Sequence, residues 1–242
     1  WMIKRGAMEG VSVLFGMHVR PEEELAYGQF TPSIHHGACI FLEGQIRGTD
    51  AHGARPHQGK SAIDVMVAIH GYLATLYADP AENYSIKLTK MIAGGQNTNI
   101  IPGNGSFAID VRAQCNAVLD EMIDSIGTGL NRIAELFGVH IDYEWKDYTP
   151  GATVSKEPER SARESIIKVA GEEALEEPII TSGSDDFHFY SRKHPEVQTT
   201  MIGIGAQVSP GLHHPKMQIQ TDILDLGARV LAEAMQLVHI KG

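Results

Sequence analysis

The sequence predicts an α/β protein in two parts, a discontinuous domain of helices and buried strands and an α+β domain inserted into it. Two observations carry this. Toward both ends of the chain, apolar runs alternate with amphipathic helical stretches, the pattern of a sheet covered by helices. Between them the periodicity runs strand-helix-strand-strand-helix-strand, which is the split βαβ, ferredoxin-like unit. The discontinuous domain is assigned to residues 1–33 and 149–242, and the inserted domain to residues 34–148.

Each element has its own signal. Residues 1–9 read as the tail of a helix ended by Gly10, so the chain is expected to begin in the middle of a fold. Residues 12–19 form a near-continuous apolar run, which suits a strand buried on both faces. Pro21 and the acidic Glu22, Glu23 and Glu24 break it. A strand with alternating faces is expected at 38–48. Residues 61–77 carry Ile63, Val67, Ile69, Leu73 and Leu76 at helical spacing, ended by Asp79-Pro80. Strands follow at 84–93 and 105–112, with Gly94-Gly95 as a turn after the first. An amphipathic helix at 119–137 and a strand at 139–146 complete the insertion. Beyond Pro150-Gly151, helices are expected at 160–174, at 184–193 with Ser182 or Ser184 as its cap, and at 222–239. Short strands at 178–181 and 199–205 separate them.

Composition narrows the function. With 242 residues, 43% of them hydrophobic and 21% charged, the chain can bury a core for one or two domains. A net charge of −10 argues against a nucleic-acid partner, which needs a basic face. No apolar run is long enough to span a bilayer, so no membrane partner is expected. Cys39 and Cys115 form no Cys-x-x-Cys pair, which suits free thiols in a reducing, cytoplasmic compartment. The expected strand order nevertheless brings Cys39 and Cys115 near one another.

Twelve histidines are the sharpest chemical signal. His18 stands at the carboxyl end of one buried run, and His213 follows another in Gly211-Leu212-His213-His214-Pro215. In open α/β sheets, sites form beyond the carboxyl ends of strands, so two imidazoles delivered there are candidate metal ligands. Taken singly, each is more readily a histidine bonded to backbone. Asp185 and Asp186, in Ser184-Asp185-Asp186-Phe187, sit at a helix start, where caps are the ordinary explanation. Support of a metal-bound histidine is the sharper one. His35-His36 near Cys39 reads as a solvated loop. Arg112, in an otherwise apolar strand, ordinarily makes a surface ion pair; facing a cleft, its guanidinium fork would suit a substrate carboxylate. The stretch ending in Gly59-Lys60-Ser61 imitates a phosphate-binding loop. Five residues rather than four separate Gly53 from Gly59, and Pro56 removes a loop amide, so nucleotide binding is set aside.

Together these stretches resemble the aminoacylase, hippurate hydrolase and indoleacetyl-amino-acid hydrolase family of peptidase clan MH, closest to its bacterial amidohydrolase branch. The resemblance rests on Phe15-Gly16-Met17-His18-Val19-Arg20-Pro21, Ala51-His52-Gly53-Ala54-Arg55-Pro56-His57, Asn99-Ile100-Ile101-Pro102, Arg112, Ser184-Asp185-Asp186-Phe187 and Leu212-His213-His214-Pro215. It implies a metallopeptidase-type catalytic domain holding two divalent ions, zinc or manganese, with the insertion acting as lid and homodimerisation domain. It implies His18 and His213 as metal ligands and His52 as the catalytic group at the scissile carbonyl, in its own subunit's site or the partner's. Asn99 and Arg112 would hold an N-acyl amino acid or peptide substrate, with Arg112 on its carboxylate. The family's Cys-Gly-His-Asp motif and Glu-Glu pair supply the remaining ligands and the base; this chain lacks the first, and its only Glu-Glu pairs lie in unrelated acidic loops. This chain alone is therefore expected to be inactive. The alternative it leaves is a non-catalytic dimerising or binding fragment. Where the family shows Glu-Asp before the phenylalanine, this chain has Asp185-Asp186 before Phe187.

Overall fold

A computed structural model describes residues 2–240. In chain order, β1 (Val13–Pro21), β2 (Phe30–Thr31), β3 (Ile34–His36), β4 (Ala38–Arg47) and β5 (Ala51–His52) lead to α1 (Ala62–Leu73). Then come β6 (Tyr84–Ala93), β7 (Ile100–Ile101), β8 (Asn104–Ala113), α2 (Asn116–Phe137) and β9 (His140–Thr149). The last are α3 (Lys156–Ala170), β10 (Ile179–Thr181), α4 (Phe189–Lys193), β11 (Gln198–Val208) and α5 (Ile223–Ile240). They form a mixed α/β fold of two compact units. One comprises the described residues up to His36 and those from Ala152 on, and the other is Gly37–Gly151. The chain crosses between them three residues beyond each boundary expected from sequence. The reason is local: Ile34, His35 and His36 pair in parallel with Ile179, Ile180 and Thr181, which ties them to the first unit.

In the first unit β11 is central, parallel to β1 and antiparallel to β2. Its residues Thr199 to Ala206 are all buried. β1 has β11 as its one strand neighbour among the described residues. Its apolar residues are accordingly half-buried, not sealed on both faces as the sequence suggested. Phe30, Ala162, Ile166, Ile202, Ile204 and Val230 form the core between sheet and helices. The larger of these, Phe30 and the isoleucine and valine side chains, contribute about 1.5–3 kcal/mol each when fully buried.

In the second unit the sheet order is β6-β8-β4-β9, every neighbour antiparallel. β4 shows why it faces one way. Ala38, Ile40, Leu42 and Ile46 point inward, while Glu43, Gln45 and Arg47 are exposed, a period of two. Gly44 falls on the inward set, and the Phe107 ring occupies the space its Cβ would need. α2 buries Val118, Leu119, Met122, Ile126, Leu130 and Ile133 at helical spacing. It stops where Gly138 adopts a left-handed φ of 59° and returns its N–H to the last turn. α1 starts at Ser61, whose hydroxyl accepts from the Asp64 amide.

Several local expectations are corrected. Residues 2–10 form a 3-10 turn at Ile3–Arg5 and further turns, with Gly6 left-handed, instead of a helix tail. The helix expected from Arg160 starts at Lys156 and stops at Gly171, whose φ of 100° only glycine tolerates. The helix expected at 184–193 is a 3-10 turn at Asp186–His188 followed by the short α4. Its cap is Asp185, which accepts from the Phe187 amide, and neither serine serves. Cys39 lies opposite Arg112, Cys115 precedes α2, and both are free thiols. No helix among the described residues is long and apolar enough to cross a membrane.

Candidate metal and substrate sites

In the first unit β1 carries His18 and the turn before α4 carries Asp185. His18 Nδ1 lies 2.6 Å from the Val19 carbonyl oxygen. A carbonyl only accepts, so Nδ1 carries the proton and, in the neutral ring, Nε2 keeps its lone pair. Nε2 faces Asp185 Oδ2 at 3.8 Å, with the His18 side chain 32% exposed and that of Asp185 18%. That distance is too long for a hydrogen bond. In that tautomer two acceptors face one another, an arrangement that can take a cation between them. An imidazole nitrogen beside a carboxylate oxygen is a donor set that suits zinc or manganese.

Two buried histidines stand behind this pair. His36, from β3, is 3% exposed, and His188, from the 3-10 turn, is 2% exposed. His36 Nδ1 and His188 Nε2 are 3.0 Å apart, a hydrogen bond between rings 152 residues apart in sequence. The ring of His36 also meets His18 edge-on, with centroids 6.5 Å apart. Burial lowers the pKa of His36 to about 4, helped by His188 and opposed by Asp185. Burial likewise lowers His188 to about 4, against the pull of Asp185. Both rings are therefore neutral at pH 7, so one of the two nitrogens can donate and the other accept. The sequence reading missed both, placing His36 in a solvated loop. A signal for His188 was present: it stands between Phe187 and Phe189, an apolar setting in which a histidine is buried.

The remaining candidates of this unit stand apart. His213 is exposed at a φ of 61°, a left-handed conformation that costs a non-glycine residue on the order of 1 kcal/mol and is concentrated at functional sites. The described residues show no hydrogen bond or ring contact between His213 and His18. Asp186 is exposed in the first turn after Asp185. Among the described residues, no three or more His, Cys, Asp or Glu side chains converge as a metal cluster.

In the second unit His52 and Asn99 come together. β5 pairs with β7, His52 opposite Ile100, and the Gly53 amide donates to the Asn99 carbonyl at 2.7 Å. His52 is exposed, and its Nδ1 accepts from the Ala54 amide at 3.1 Å. That bond leaves the proton on Nε2, which is free to donate. Asp50 ties this loop to the sheet by accepting from the Gly103 amide. Arg112 lies at the other end of β8. Asn104, beside the His52 loop, and Arg112 are eight residues apart, roughly 26 Å along the strand. Arg112 is half-buried and oriented by Asp110, which accepts from its Nε and Nη2 and raises its pKa.

The comparisons with known proteins bear on the family of the whole chain. The sequence profile of Peptidase family M20/M25/M40 matches residues 1–237. A protein named "Probable hydrolase sll0100" in Synechocystis sp. is 27% identical over 97% of this chain and 61% of its own length. The N-acetylcysteine deacetylase of Bacillus subtilis is 24% identical over 98% of this chain and 62% of its own. The structure of Bacillus subtilis YXEP, described as a dinuclear metal binding peptidase from the M20 family, superimposes with a TM-score of 0.74. It is 20% identical and is covered over 60% of its length by 98% of this chain, a likeness of fold. The chain thus spans about three fifths of the length of the relatives it matches. With one family profile running through both units and relatives aligned to nearly every residue, the chain belongs to Peptidase family M20/M25/M40.

Proposed function

We propose that the protein containing this chain is a metal-dependent amidohydrolase that cleaves the amide bond of N-acyl amino acids or small peptides. The observation that carries this is the opposition of His18 Nε2 and Asp185 Oδ2 across 3.8 Å. His18 would hold a divalent ion through the nitrogen that its Val19 bond leaves free, and Asp185 would orient the imidazole or balance its charge. His213 would be a further ligand, from the left-handed turn after β11. Two divalent ions, zinc or manganese, would when bound lower the pKa of water and polarise the carbonyl. The names of the B. subtilis relatives, a deacetylase and a dinuclear metal binding peptidase, are consistent with this chemistry.

This chain's own groups would bind and orient the substrate. His52 Nε2–H would donate to the carbonyl oxygen as charge develops there, which favours the transition state over the substrate. Asn99 would hold the amide beside it. Arg112, pre-set by Asp110, would take the substrate carboxylate and so align the scissile bond. The loop that carries His52 is tied through Asp50 to one end of β8 and Arg112 lies near the other, roughly 26 Å along the strand, too far for one small substrate. His52 and Asn99 would therefore act in the site of a second copy. The second unit would serve as the lid and homodimerisation domain. Its edge strand β6 exposes Met91 and Ile92, and α1 exposes Ile63 and Val67, an apolar surface that suits pairing.

The test is metal analysis of the full-length protein together with hydrolysis of N-acetyl amino acids and dipeptides. Expected are bound divalent ions, loss of turnover with a chelator and its return with Zn2+ or Mn2+. A protein that binds no divalent ion, or hydrolyses equally well in excess chelator, would overturn the proposal.

A further inference from the structure

The His18 side chain is partly exposed and, among the described residues, hydrogen-bonded only to the carbonyl of the next residue, yet an ion ligand has to be held in place. Its neighbours form a closed circuit within the first unit. The His18 ring meets His36 edge-on. His36 is hydrogen-bonded to His188. The His188 ring meets Phe187 edge-on, with centroids 5.6 Å apart. Phe187 lies directly on Gly16, where an added Cβ would come within 2.9 Å of its ring. Gly16 is two residues from His18 on the same strand, so the circuit returns to its start. Asp185 belongs to it as well, since it accepts from the Phe187 amide at 2.9 Å. Three segments distant in sequence, β1, β3 and the turn before α4, thus meet around one bond between two buried side chains.

We propose that the His36–His188 hydrogen bond is a clasp that fixes the His18 ring and its distance to Asp185, which makes both buried histidines positioning residues for the ion. The inference rests on the reading of His18 as a metal ligand. Neither ring of the clasp touches substrate in this scheme. Both act through His18 and Asp185, as groups behind a metal ligand set its orientation and basicity. Neutral rings suit the task, because an N–H···N bond needs one donor and one acceptor and adds no charge beside a cation.

The experiment is Co2+ binding to the metal-free full-length protein, followed by equilibrium dialysis and by the visible absorption of the bound ion. His36→Leu and His188→Leu remove the bond. His36→Asn places an amide where Nδ1 was, and His188→Gln places one where Nε2 was, so both can keep it. The leucine variants are expected to bind Co2+ about 10–100-fold more weakly, with an altered absorption band. The amide variants are expected to stay within a few-fold of the parent and to keep its band. Where a leucine variant fails to fold by circular dichroism, His36→Gln replaces it, since its amide lies one bond beyond the Nδ1 position. Leucine variants with parental affinity and spectrum would overturn the clasp, and so would amide variants as impaired as leucine ones. His18→Ala separates the two readings. If it loses Co2+ while His36→Leu keeps it, the clasp alone is wrong. If His18→Ala binds Co2+ like the parent, the ligand assignment and the clasp fall together.

Discussion

At the scale of single residues, His18 and His52 are both imidazoles with one nitrogen committed to the backbone, but opposite nitrogens are left free for use. His18 donates from Nδ1–H to the Val19 carbonyl, which in the neutral ring leaves a lone pair at Nε2. His52 accepts at Nδ1 and keeps a proton at Nε2. In the proposed function one ring would hold a cation and the other would donate to an oxygen. His18→Ala should therefore lower metal content and turnover together, whereas His52→Ala should keep its metal. Losing one such donor costs about 10²–10³ in turnover, so the His52 loss should fall on kcat with KM little changed. Metal analysis beside steady-state kinetics decides, and a His52→Ala protein without metal would reverse the two roles. Arg112→Ala should raise KM for N-acyl amino acids and leave analogues with an amidated carboxylate nearly unaffected.

The clasp histidines add a pH dependence to stability. Both titrate at about 4 when folded, below the ordinary value of 6.5. Between those values the unfolded chain binds protons that the folded pair refuses, so stability rises with pH across that window. The pair's contribution is complete above about pH 6.5 and is lost as pH falls toward 4. Asp185 acts against this shift, and Arg20 and His18 on the His36 side and His35 on the His188 side act with it. Urea unfolding of the metal-free protein should show a loss on the order of 3 kcal/mol between pH 7 and pH 4.5. The His36→Leu, His188→Leu double variant should show a flatter profile.

At the scale of elements, the second unit's sheet is set by one large-to-small pairing. Gly44 and Phe107 lie opposite one another in the β4–β8 register, and the ring fills the place of the missing side chain. Phe107→Ala should cost about 3–5 kcal/mol, since it empties a fully buried ring site. Gly44→Ala should cost about 1–3 kcal/mol by overpacking. The two share the same space, so in the double variant the costs should fall short of their sum. Denaturant midpoints of the four proteins close this cycle, and strict additivity would show that the ring does not depend on the glycine.

At the scale of the whole molecule, the question is which copy completes which site. If His52 serves a second copy, the inactive His18→Ala and His52→Ala proteins should complement one another when mixed and allowed to exchange subunits. Half of the dimers would then be mixed, each with one complete site, so about a quarter of the parental activity should return. No recovery despite proven exchange would place His52 in its own copy's site. Val67→Glu on α1 or Ile92→Lys on β6 should shift the protein toward monomer in sedimentation, and activity should fall with the dimer.

Periodicity alone located every long element of this chain, because a strand repeats at two residues and a helix at 3.6 whatever surrounds it. The βαββαβ order and the inward face of β4 follow from that. Motif residues such as His18, Asp185, His52, Asn99 and Arg112 could be singled out as candidates, since their neighbours in sequence are part of the pattern. Short or locally ambiguous pieces were not. The 3-10 turns near Ile3 and Asp186 have no period to detect, and the half-exposure of β1 depends on how many strands flank it. The clasp is the clearest case. His36 and His188 lie 152 residues apart, and only the pairing of β3 with β10 and the turn at Asp185 bring them to 3.0 Å. Neither spacing nor composition encodes that contact, because burial of a polar ring becomes favourable only once tertiary packing supplies its partner.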